Sequence, residues 1–472
     1  MKTFLFYDIE TSGLSSVFDQ VLTFAAIRTD MALKEIDRYE IAVSLRRDIV
    51  PSPGAFLTHR LSPGELESGL CEYEAMGLIH KIINEPGTIS IGYNTLGFDD
   101  EFLRFAFYRN FLDPYSHQYA NGCCRMDLLP VATLYRIFKP GQMRWPISQG
   151  KPSMKLELIS QENNLVQSGR AHDAMTDVKA TLGLARSLAR EKNMWSYCLD
   201  FFDKEKDRAR IEAVDEVFQS IFGRHKLCVM VSVSFGGEIM YMAPVVSIGY
   251  SAAYTNQSLW LRLDREEVVP FGLDPKKGPF VIRKRHGEAK IVLPPLERFW
   301  NRLTLSQKEQ SEKNLLLIRK SPEEFQKLVF YHRDFKYPFI PDLDVDASLY
   351  QTGFFSKHEK ADMVIFHGSS HDKKMALCEK MGSTRLQALA RRIVIRNFPE
   401  IATASAMAEH KKYLGRIRSS LLTDPIKGYK NDVKLTCDIA LEEISSIRAC
   451  GNSLDGEQHS ILNWLYSYIK AL

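Results

Sequence analysis

Two carboxylates near the N-terminus are the first residues whose type and spacing could do chemistry. Asp8 and Glu10 lie two positions apart in FLFYDIETSGL, a run typical of a β-strand, so both side chains project from one face. In a buried strand two adjacent carboxylates repel each other unless a cation lies between them, and carboxylate oxygens suit Mg²⁺ or Mn²⁺. An edge strand with two solvated acids is the alternative, and this run alone favours neither.

Two further segments place acids and a histidine at predicted helix starts. In SIGYNTLGFDDEFLRF a strand leads into a polar turn, and Asp99 and Asp100 then begin a helix, where an Asp is favoured as a cap whatever the function. In RAHDAMTDVKATLGLARSL, His172 precedes a helix and Asp177 lies five residues further on. Each segment on its own is explained more simply by a structural role than by catalysis.

Together the three segments resemble the DEDDh exonuclease pattern: DxE near the N-terminus, then an Asp, then HxxxxD. Asp8, Glu10, Asp99, His172 and Asp177 occur in that order. The resemblance implies phosphodiester hydrolysis with two Mg²⁺ ions, for which Mn²⁺ can substitute. Asp8 would bridge both ions, Glu10 and Asp177 would complete one site, and Asp99 would hold the second ion. His172 would accept the proton of the attacking water, and Glu10 would also bind the terminal 3′-hydroxyl.

A longer stretch, GYNTLGFDDEFLRFAFYRNFLDPY, resembles the signature of the bacterial exonuclease I family. The resemblance continues in RMDLL at 125–129 and AHDAMTDV at 171–178, and more weakly in VSVSFGGEIMYMAP, LYQTGFFS and RNFP. It implies a monomeric enzyme of the bacterial cytoplasm that degrades single-stranded DNA processively from the 3′ end to 5′-mononucleotides, in DNA repair and recombination. A related nuclease that prefers RNA, and a nucleic-acid-binding adaptor without activity, are the alternatives.

A threaded single strand calls for cations along its backbone and aromatic faces for its bases. Besides Glu10, the predicted substrate-binding residues are Arg104, Tyr115, Tyr119, Arg125 and Lys155, with Tyr108 and Trp145 as further candidates. Core packing is the alternative for each tyrosine. Lys155 stands where the family has Arg, so the charge is kept but the bidentate contact with a terminal phosphate is lost.

The family resemblance also implies a protein partner, the acidic C-terminal tail of single-stranded-DNA-binding protein. A tail that ends in an apolar residue with a free carboxylate needs a cation beside a hydrophobic pocket. We expect that pocket between the first two domains. Arg319, Lys320 and Arg396 are candidates on charge alone, and solvated surface charges are the alternative for each.

The elements that must position the five DEDDh residues lie in the first part of the chain, 1–192, which has the texture of an α/β domain with a mixed sheet flanked by helices. The pattern predicts four strands and four helices. The strands are 3–9, 20–29, 38–45 and 88–93, and the helices are 63–84, 98–110, 127–138 and 173–191. The Pro- and Gly-rich loop at 139–153 is long enough to be functional.

The rest of the chain has two other textures. Short strands between Gly and Pro turns, in 226–248, 258–271 and 279–295, predict a small β-barrel, and the chain is mostly helical after about 357. Between them, 342–356 reads as a linker. With the family resemblance, these textures imply a ribonuclease H-like exonuclease domain at 1–192, an SH3-like β-barrel domain at 193–345, and a linker with an all-helical C-terminal domain at 346–472.

The composition is that of a globular protein. Of the 472 residues 45% are hydrophobic and 25% charged, and the net charge of +4 says little about nucleic acid. The N-terminal run is interrupted by acids, which argues against a signal peptide, and no long uncharged apolar run predicts a membrane span. The eight cysteines show no CxxC spacing, so reduced thiols are expected rather than a zinc site or disulfides.

Overall fold

A mixed five-stranded sheet forms the first domain of the computed structural model, which describes residues 1–166, 172–266, 281–418, 425–450 and 454–472. The strand order is β3-β2-β1-β4-β5, with β1–β2 and β2–β3 antiparallel and β1–β4 and β4–β5 parallel. The strands are β1 Thr3–Thr11, β2 Val21–Thr29, β3 Glu35–Ala42, β4 Thr88–Gly92 and β5 Cys124–Asp127. The predicted mixed sheet is confirmed.

Helices cover both faces of this sheet. They are α1 Pro53–His59, α2 Pro63–Glu67, α3 Glu72–Ile83, α4 Asp99–Arg109, α5 Leu128–Phe138, α6 Leu156–Asn163 and α7 Ala174–Leu188, and a small hairpin of β6 Ile147–Ser148 and β7 Lys151–Pro152 precedes α6. On β1, Phe4 and Phe6 pack with α5 and α7, and the intervening residues pack with α3 and α4. Asp8 and Glu10 continue the Phe4–Phe6 face. The carboxylates therefore come where that apolar face ends.

The prediction of a single helix at 63–84 is wrong, because the helix is interrupted between α2 and α3. Gly69 lies against the backbone of a neighbouring segment, where an added Cβ would be 2.7 Å from the Ser44 amide nitrogen. Leu70 then pairs with Val43 as an isolated bridge, and the Ser44 amide donates to the Leu70 carbonyl (2.8 Å). A helix cannot continue through residues whose backbone groups are bonded to a neighbouring segment.

A second sheet, wholly antiparallel, follows two helices, α8 Lys192–Leu199 and α9 Lys204–Glu212. Its order is β12-β11-β10-β9-β13, and β8 also pairs with β9. The strands are β8 Glu216–Ser220, β9 Gly223–Val231, β10 Met242–Tyr250, β11 Gln257–Arg262, β12 Val281–Arg285 and β13 Ile291–Leu293. Among the described residues no pairing closes this sheet, so the SH3-like barrel is not confirmed. The parts of the predicted strand runs at 267–271 and 279–280 lie outside the described residues.

Helices make up the remainder. They are α10 Glu297–Trp300, α11 Leu305–Lys320, α12 Pro322–Asp334, α13 Lys357–Gly368, α14 His371–Cys378, α15 Thr384–Asn397, α16 Ala404–Arg418, α17 Cys437–Ala449 and α18 Gly456–Ala471. Within the described ranges, no helix has the length and apolar character needed to cross a membrane. All eight cysteines are free thiols, as their spacing predicts.

The prediction of a linker at 342–356 is wrong, because this segment is packed into the molecule. Its 3₁₀ helix, Val345–Tyr350, buries Ala347 and Leu349 in a core shared by the first and C-terminal domains. The Ser348 hydroxyl lies 2.7 Å from the hydroxyl of Tyr108 on α4. Apolar burial and a buried hydrogen bond thus fix a segment whose composition is typical of a connector.

Charged side chains close the same interface. Arg396 on α15 pairs with Asp48 of the first domain (2.8 Å) and Asp346 of the 3₁₀ helix (2.7 Å), with all three side chains at most 4% exposed. On the first-domain side, Arg46 pairs with both Asp48 and Glu72. Because these charges are removed from water, each depends on its partners. The network joins two domains that are far apart in the sequence.

Candidate active site

Three carboxylates converge at the end of β1. Asp8, Glu10 and Asp177 each offer an oxygen, these oxygens all lie within 4.8 Å of one another, and all three residues are half-buried. Asp177 reaches this position because α7 packs against β1 and begins just before it, where Asp173 caps the helix by accepting from the Thr176 amide (3.1 Å). The fold therefore brings together residues separated by about 170 positions.

Asp99 adjoins this group at the end of β1. It is the first residue of α4, is 5% exposed, and accepts a hydrogen bond from the amide of Ile9, the residue between Asp8 and Glu10 (3.3 Å). The capping position itself is held by Phe98, whose side chain makes no capping bond. The carboxylate of Asp99 is thus bonded to β1, which the capping interpretation does not explain.

The four acids share too much negative charge for a site without a cation. Burial, then the charges of Asp99, Glu10 and Asp177, raise the pKa of Asp8 well above its ordinary range. Burial and neighbouring carboxylates also raise the pKa of Glu10 to about 9, and burial raises that of Asp99 to about 8 and that of Asp177 to about 6. A set of carboxylate oxygens that resist joint ionisation fits a divalent cation such as Mg²⁺ or Mn²⁺.

His172 lies at the solvent side of this group. Its side chain is 48% exposed, and its Nε2 atom is 3.5 Å from Oε2 of Glu157. His172 adopts a left-handed backbone conformation (φ 61°). Burial raises the pKa of Asp177, and the charge of His172 and a hydrogen bond from its backbone are the main influences that lower it. The structure thus places His172 next to Asp177, as the HxxxxD spacing predicts. Residues 170 and 171, which begin the run RAHDAMTDVKATLGLARSL, lie outside the described residues.

Two acids near the site, Asp173 and Glu157, are not among the residues predicted from the sequence. Asp173 adds to the negative charge that raises the pKa values of Asp8, Glu10 and Asp177. Its cap position directly after His172 was a usable signal. Glu157 on α6 approaches His172, and no spacing in the sequence relates the two.

The residues predicted to contact substrate have different surroundings. Tyr119 is 66% exposed, the Lys155 side chain is 72% exposed with Glu157 3.6 Å away, and Tyr115 is half-buried. Arg104 and Arg125 both pair with the buried Asp100. The tyrosines and the lysine are available for contact, whereas the two arginines are already engaged.

Three other candidates are less accessible than predicted. Tyr108 is fully buried and belongs to the interdomain core, so core packing is the correct interpretation for this tyrosine. Trp145 is half-buried and donates to the Pro140 carbonyl (3.0 Å). Arg396 is buried in the ion pairs with Asp48 and Asp346, so it cannot receive a partner's tail. Arg319 and Lys320 are exposed at the end of α11.

A cavity of about 430 Å³ opens between the first domain and the second sheet. We call it the interdomain cleft. The first domain contributes the turn after β4 and the start of α5 to its wall, and the second sheet contributes β12 and the turn to β13. Its charged and aromatic lining residues are Asp127, Arg283, Arg285, Glu288, Lys290 and Tyr337.

Family models match the two ends of the chain, and solved structures match its fold over the whole length. The family model described as Exonuclease matches residues 5–185, and that of the Exonuclease I C-terminal domain matches residues 343–472. Exodeoxyribonuclease I of Escherichia coli (strain K12) is 29% identical over 470 residues, covering 92% of this chain and 93% of that protein. A protein of the same name from Buchnera aphidicola subsp. Schizaphis graminum (strain Sg) is 36% identical over 208 residues, covering 43% and 42%.

Solved structures are similar over the full length. E. coli exonuclease I in complex with a dA16 oligonucleotide has a TM-score of 0.84 at 25% identity and covers 100% of both chains. The zinc-bound form of the E. coli complex with single-stranded DNA has the same TM-score and identity, covering 100% of this chain and 99% of that one. These likenesses confirm the α/β exonuclease fold of the first domain and the helical C-terminal domain. The exact boundaries at 192 and 345 stay predictions.

Proposed function

Since the chain belongs to the exonuclease I family, we propose that it is a 3′→5′ exodeoxyribonuclease that hydrolyses single-stranded DNA processively to 5′-mononucleotides. The observation that carries this proposal is the convergence of Asp8, Glu10 and Asp177. The carboxylate of Asp99 is bonded to β1 between Asp8 and Glu10. A role in DNA repair and recombination follows from the family. The full-length likeness to exonuclease I bound to oligonucleotides supports DNA as the substrate.

The carboxylates fit two Mg²⁺ ions, for which Mn²⁺ can substitute. Asp8 would hold both, Glu10 and Asp177 would hold the first, and Asp99 would hold the second directly or through water. When bound, such ions activate the attacking water and neutralise charge at the departing 3′ oxygen. Charge neutralisation is what this site needs, because its acids have raised pKa values.

The other roles belong to side chains at the edge of the site. His172 would accept the proton of the attacking water at a ring nitrogen, and its half-exposed position lets it pass that proton to solvent. Glu10 would accept a hydrogen bond from the terminal 3′-hydroxyl, which explains attack from that end. Tyr119, Tyr115 and Lys155 would contact the strand as it arrives.

Digestion of end-labelled substrates tests the function directly. Single-stranded DNA, duplex DNA and RNA of one sequence are incubated side by side with Mg²⁺, and with EDTA as the control. We expect shortening of single-stranded DNA from the 3′ end alone, with mononucleotide products. Preferred digestion of RNA would assign the chain to another DEDDh activity, and no digestion of any substrate would contradict catalysis.

The tail of single-stranded-DNA-binding protein remains a proposed partner. Arg319 and Lys320 lie three and four residues after Leu316 on α11, whose side chain is 53% exposed, so a cation and an apolar surface share one helix face. A labelled tail peptide titrated at low and moderate salt should bind weakly and in a salt-sensitive way. Binding that ignores deletion of the peptide's last residue, or the absence of saturable binding at low salt, would contradict this docking.

A further inference from the structure

The interdomain cleft is rich in cationic side chains. Arg283, Arg285 and Lys290 line it from β12 and the turn to β13. Burial, and then the charges of Lys284 and Arg285, lower the pKa of Lys290, and burial lowers that of Arg283. Cations held at this cost favour an anion nearby. The cleft therefore has the electrostatics of an anion site.

An unsatisfied donor points to a ligand independently. Arg283 lines the cleft, and among the described residues its Nη1 atom is buried without a hydrogen-bond partner. A guanidinium nitrogen without an acceptor suits a phosphate oxygen. Tyr337, which lines the same cleft and is 59% exposed, offers an aromatic face for a base.

One carboxylate already occupies part of this cationic surface. Glu288 pairs through Oε1 with the Nη2 atom of Arg125, and its Oε2 atom lies 3.8 Å from Nη1 of Arg285. The other arm of Arg125 is held by Asp100. Glu288 thus presents two oxygens to two guanidinium groups, as a phosphodiester would. With a side chain 19% exposed, it is partly open to exchange.

We infer that the interdomain cleft binds the phosphodiester backbone of the single strand and that Glu288 is a built-in competitor, which an incoming phosphate displaces from Arg125 and Arg285. The inference rests on the proposed function and adds a means of regulating substrate affinity. A resident anion weakens the hold on any one phosphate. It therefore favours release and advance of the strand over tight static binding.

The test compares Glu288→Gln with the wild-type protein. Gln keeps the size of the side chain and an oxygen for Arg125, and it removes only the charge. Binding of fluorescently labelled oligo-dT is measured by anisotropy in EDTA, over a series of salt concentrations. E288Q should bind about threefold to tenfold more tightly at moderate salt. The slope of log K against log salt should steepen by about 0.7, the value for one more phosphate contact on a single strand.

Two further variants separate competition from general effects. Glu309→Gln, an exposed acid on α11 outside the cleft, has the same charge change and should leave both affinity and slope unchanged. Arg285→Gln should weaken binding and flatten the slope by about 0.7. Melting temperatures accompany each measurement. Should E288Q melt well below wild type, Glu288→Ser tests the same loss of charge without the partial bond to Arg125.

The outcomes are distinct. Tighter binding by E288Q together with weaker binding by R285Q supports the inference. Binding by a folded Glu288 variant that is unchanged or weaker, or unchanged binding by R285Q, overturns it. Digestion of the same oligonucleotide by the wild-type protein with Mg²⁺ tests the proposed function separately. If the oligonucleotide is digested but E288Q binds no more tightly, only the inference about Glu288 fails.

Discussion

The adjacent carboxylates of Asp99 and Asp100 have opposite electrostatic surroundings. Asp99 meets other acids, and burial with that charge raises its pKa to about 8. For Asp100, burial alone would raise the pKa, but Arg104, Arg125 and His117 outweigh it and hold the pKa far below the ordinary value. The first is suited to bind a cation, and the second to hold guanidinium groups in place. Different roles therefore follow from neighbours and not from residue type.

Removing a carboxylate of the site should stop cleavage while leaving DNA binding. We expect Asp8→Ala or Asp177→Ala to lose essentially all nuclease activity, because each would hold a metal ion, and to bind single-stranded DNA in EDTA like wild type. The measurement is digestion of labelled oligonucleotide beside anisotropy. Asp37→Ala, an exposed acid on edge strand β3, is the control. Activity above about one-hundredth of wild type would contradict the assignment.

Replacement of His172 should lower the turnover rate without changing metal binding. Its replacement by Ala is expected to lower turnover by roughly 10²–10⁴-fold, the usual contribution of a positioned base. Mn²⁺ binding, followed by electron paramagnetic resonance, should be unchanged, since His172 lies outside the group of three acids that could hold a metal ion. Loss of Mn²⁺ affinity in the variant would make His172 a ligand.

Metal binding by these acids should also raise the stability of the protein. Without a cation their charges repel, and for Asp177 the folded pKa of about 6 exceeds the ordinary 3.8, so stability falls as pH rises through that range. At neutral pH, Mg²⁺ should raise the melting temperature of wild type. Asp8→Asn should melt higher than wild type in EDTA and gain less from Mg²⁺. An equal gain from Mg²⁺ in both would show that the ion binds elsewhere.

At this scale the spacing of Asp8, Glu10, Asp99, His172 and Asp177 was enough to predict their neighbourhood. Their catalytic and ligand roles stay predictions. Arg104 lies four residues after Asp100 on α4, a spacing that favours an ion pair. The engagement of Arg125 by Asp100, in contrast, was not predictable, because it depends on how separate segments pack together. The same is true of Glu288, which reaches Arg125 across 163 positions.

Among the elements, the turn before α4 determines where Asp99 lies. Asp127, at the start of α5, is 2% exposed and accepts from the amides of Asn94 (2.9 Å), Leu96 (3.2 Å) and Leu129 (2.9 Å). One buried carboxylate thus caps a helix and fixes the neighbouring turn. Because that turn leads directly into Asp99, its shape is transmitted to the site.

Asp127→Ala should therefore lower both stability and turnover. Loss of the acceptor leaves buried amides unpaired, which costs about 1–3 kcal/mol for a buried group. We expect a lower melting temperature and a lower kcat for oligonucleotide digestion, and Asp127→Asn should restore part of both because it keeps one acceptor oxygen. A normal kcat in a destabilised D127A protein would show that the turn does not control Asp99.

The elements of the first domain were predictable where a single periodicity extends through them, as in β1, α5 and α7. The helix expected at 63–84 failed at Gly69, and the linker at 342–356 failed at Ala347 and Leu349. In both places the deciding contact is with another segment: the backbone near Ser44 for Gly69, and the shared core for the 3₁₀ helix. Local pattern does not contain that information.

Buried charges extend from the first domain to the last, because Arg46 pairs with both Glu72 and Asp48, and Asp48 pairs with Arg396. For Glu72, burial alone would raise the pKa, but Arg109 and Arg46 outweigh it and hold the pKa at about 2. A lowered pKa stabilises the fold above the unfolded value near 4.5, and that contribution is lost as pH falls toward 2. The shift corresponds to roughly 3 kcal/mol.

Acid should therefore weaken the first-domain side of this network. We expect the free energy of unfolding, measured with urea, to fall between about pH 5 and pH 3. Glu72→Gln should be less stable than wild type at neutral pH, because Arg109 loses its carboxylate partner and Arg46 keeps only Asp48. Its stability should also depend less on pH across that range. An unchanged pH dependence in E72Q would place the acid sensitivity elsewhere.

The core shared by the two ends of the chain has a consequence during synthesis. Phe18 and Phe105 of the first domain pack in one apolar cluster with Leu389 of α15 and Leu465 of α18. The ribosome makes the chain from its N-terminus, so the nascent first domain exposes an apolar surface until those helices have emerged. The five predicted catalytic residues are all translated by position 177, yet Leu465 of the shared core is translated 288 residues later. A growing chain of this kind is a natural client for chaperones that work at the ribosome exit.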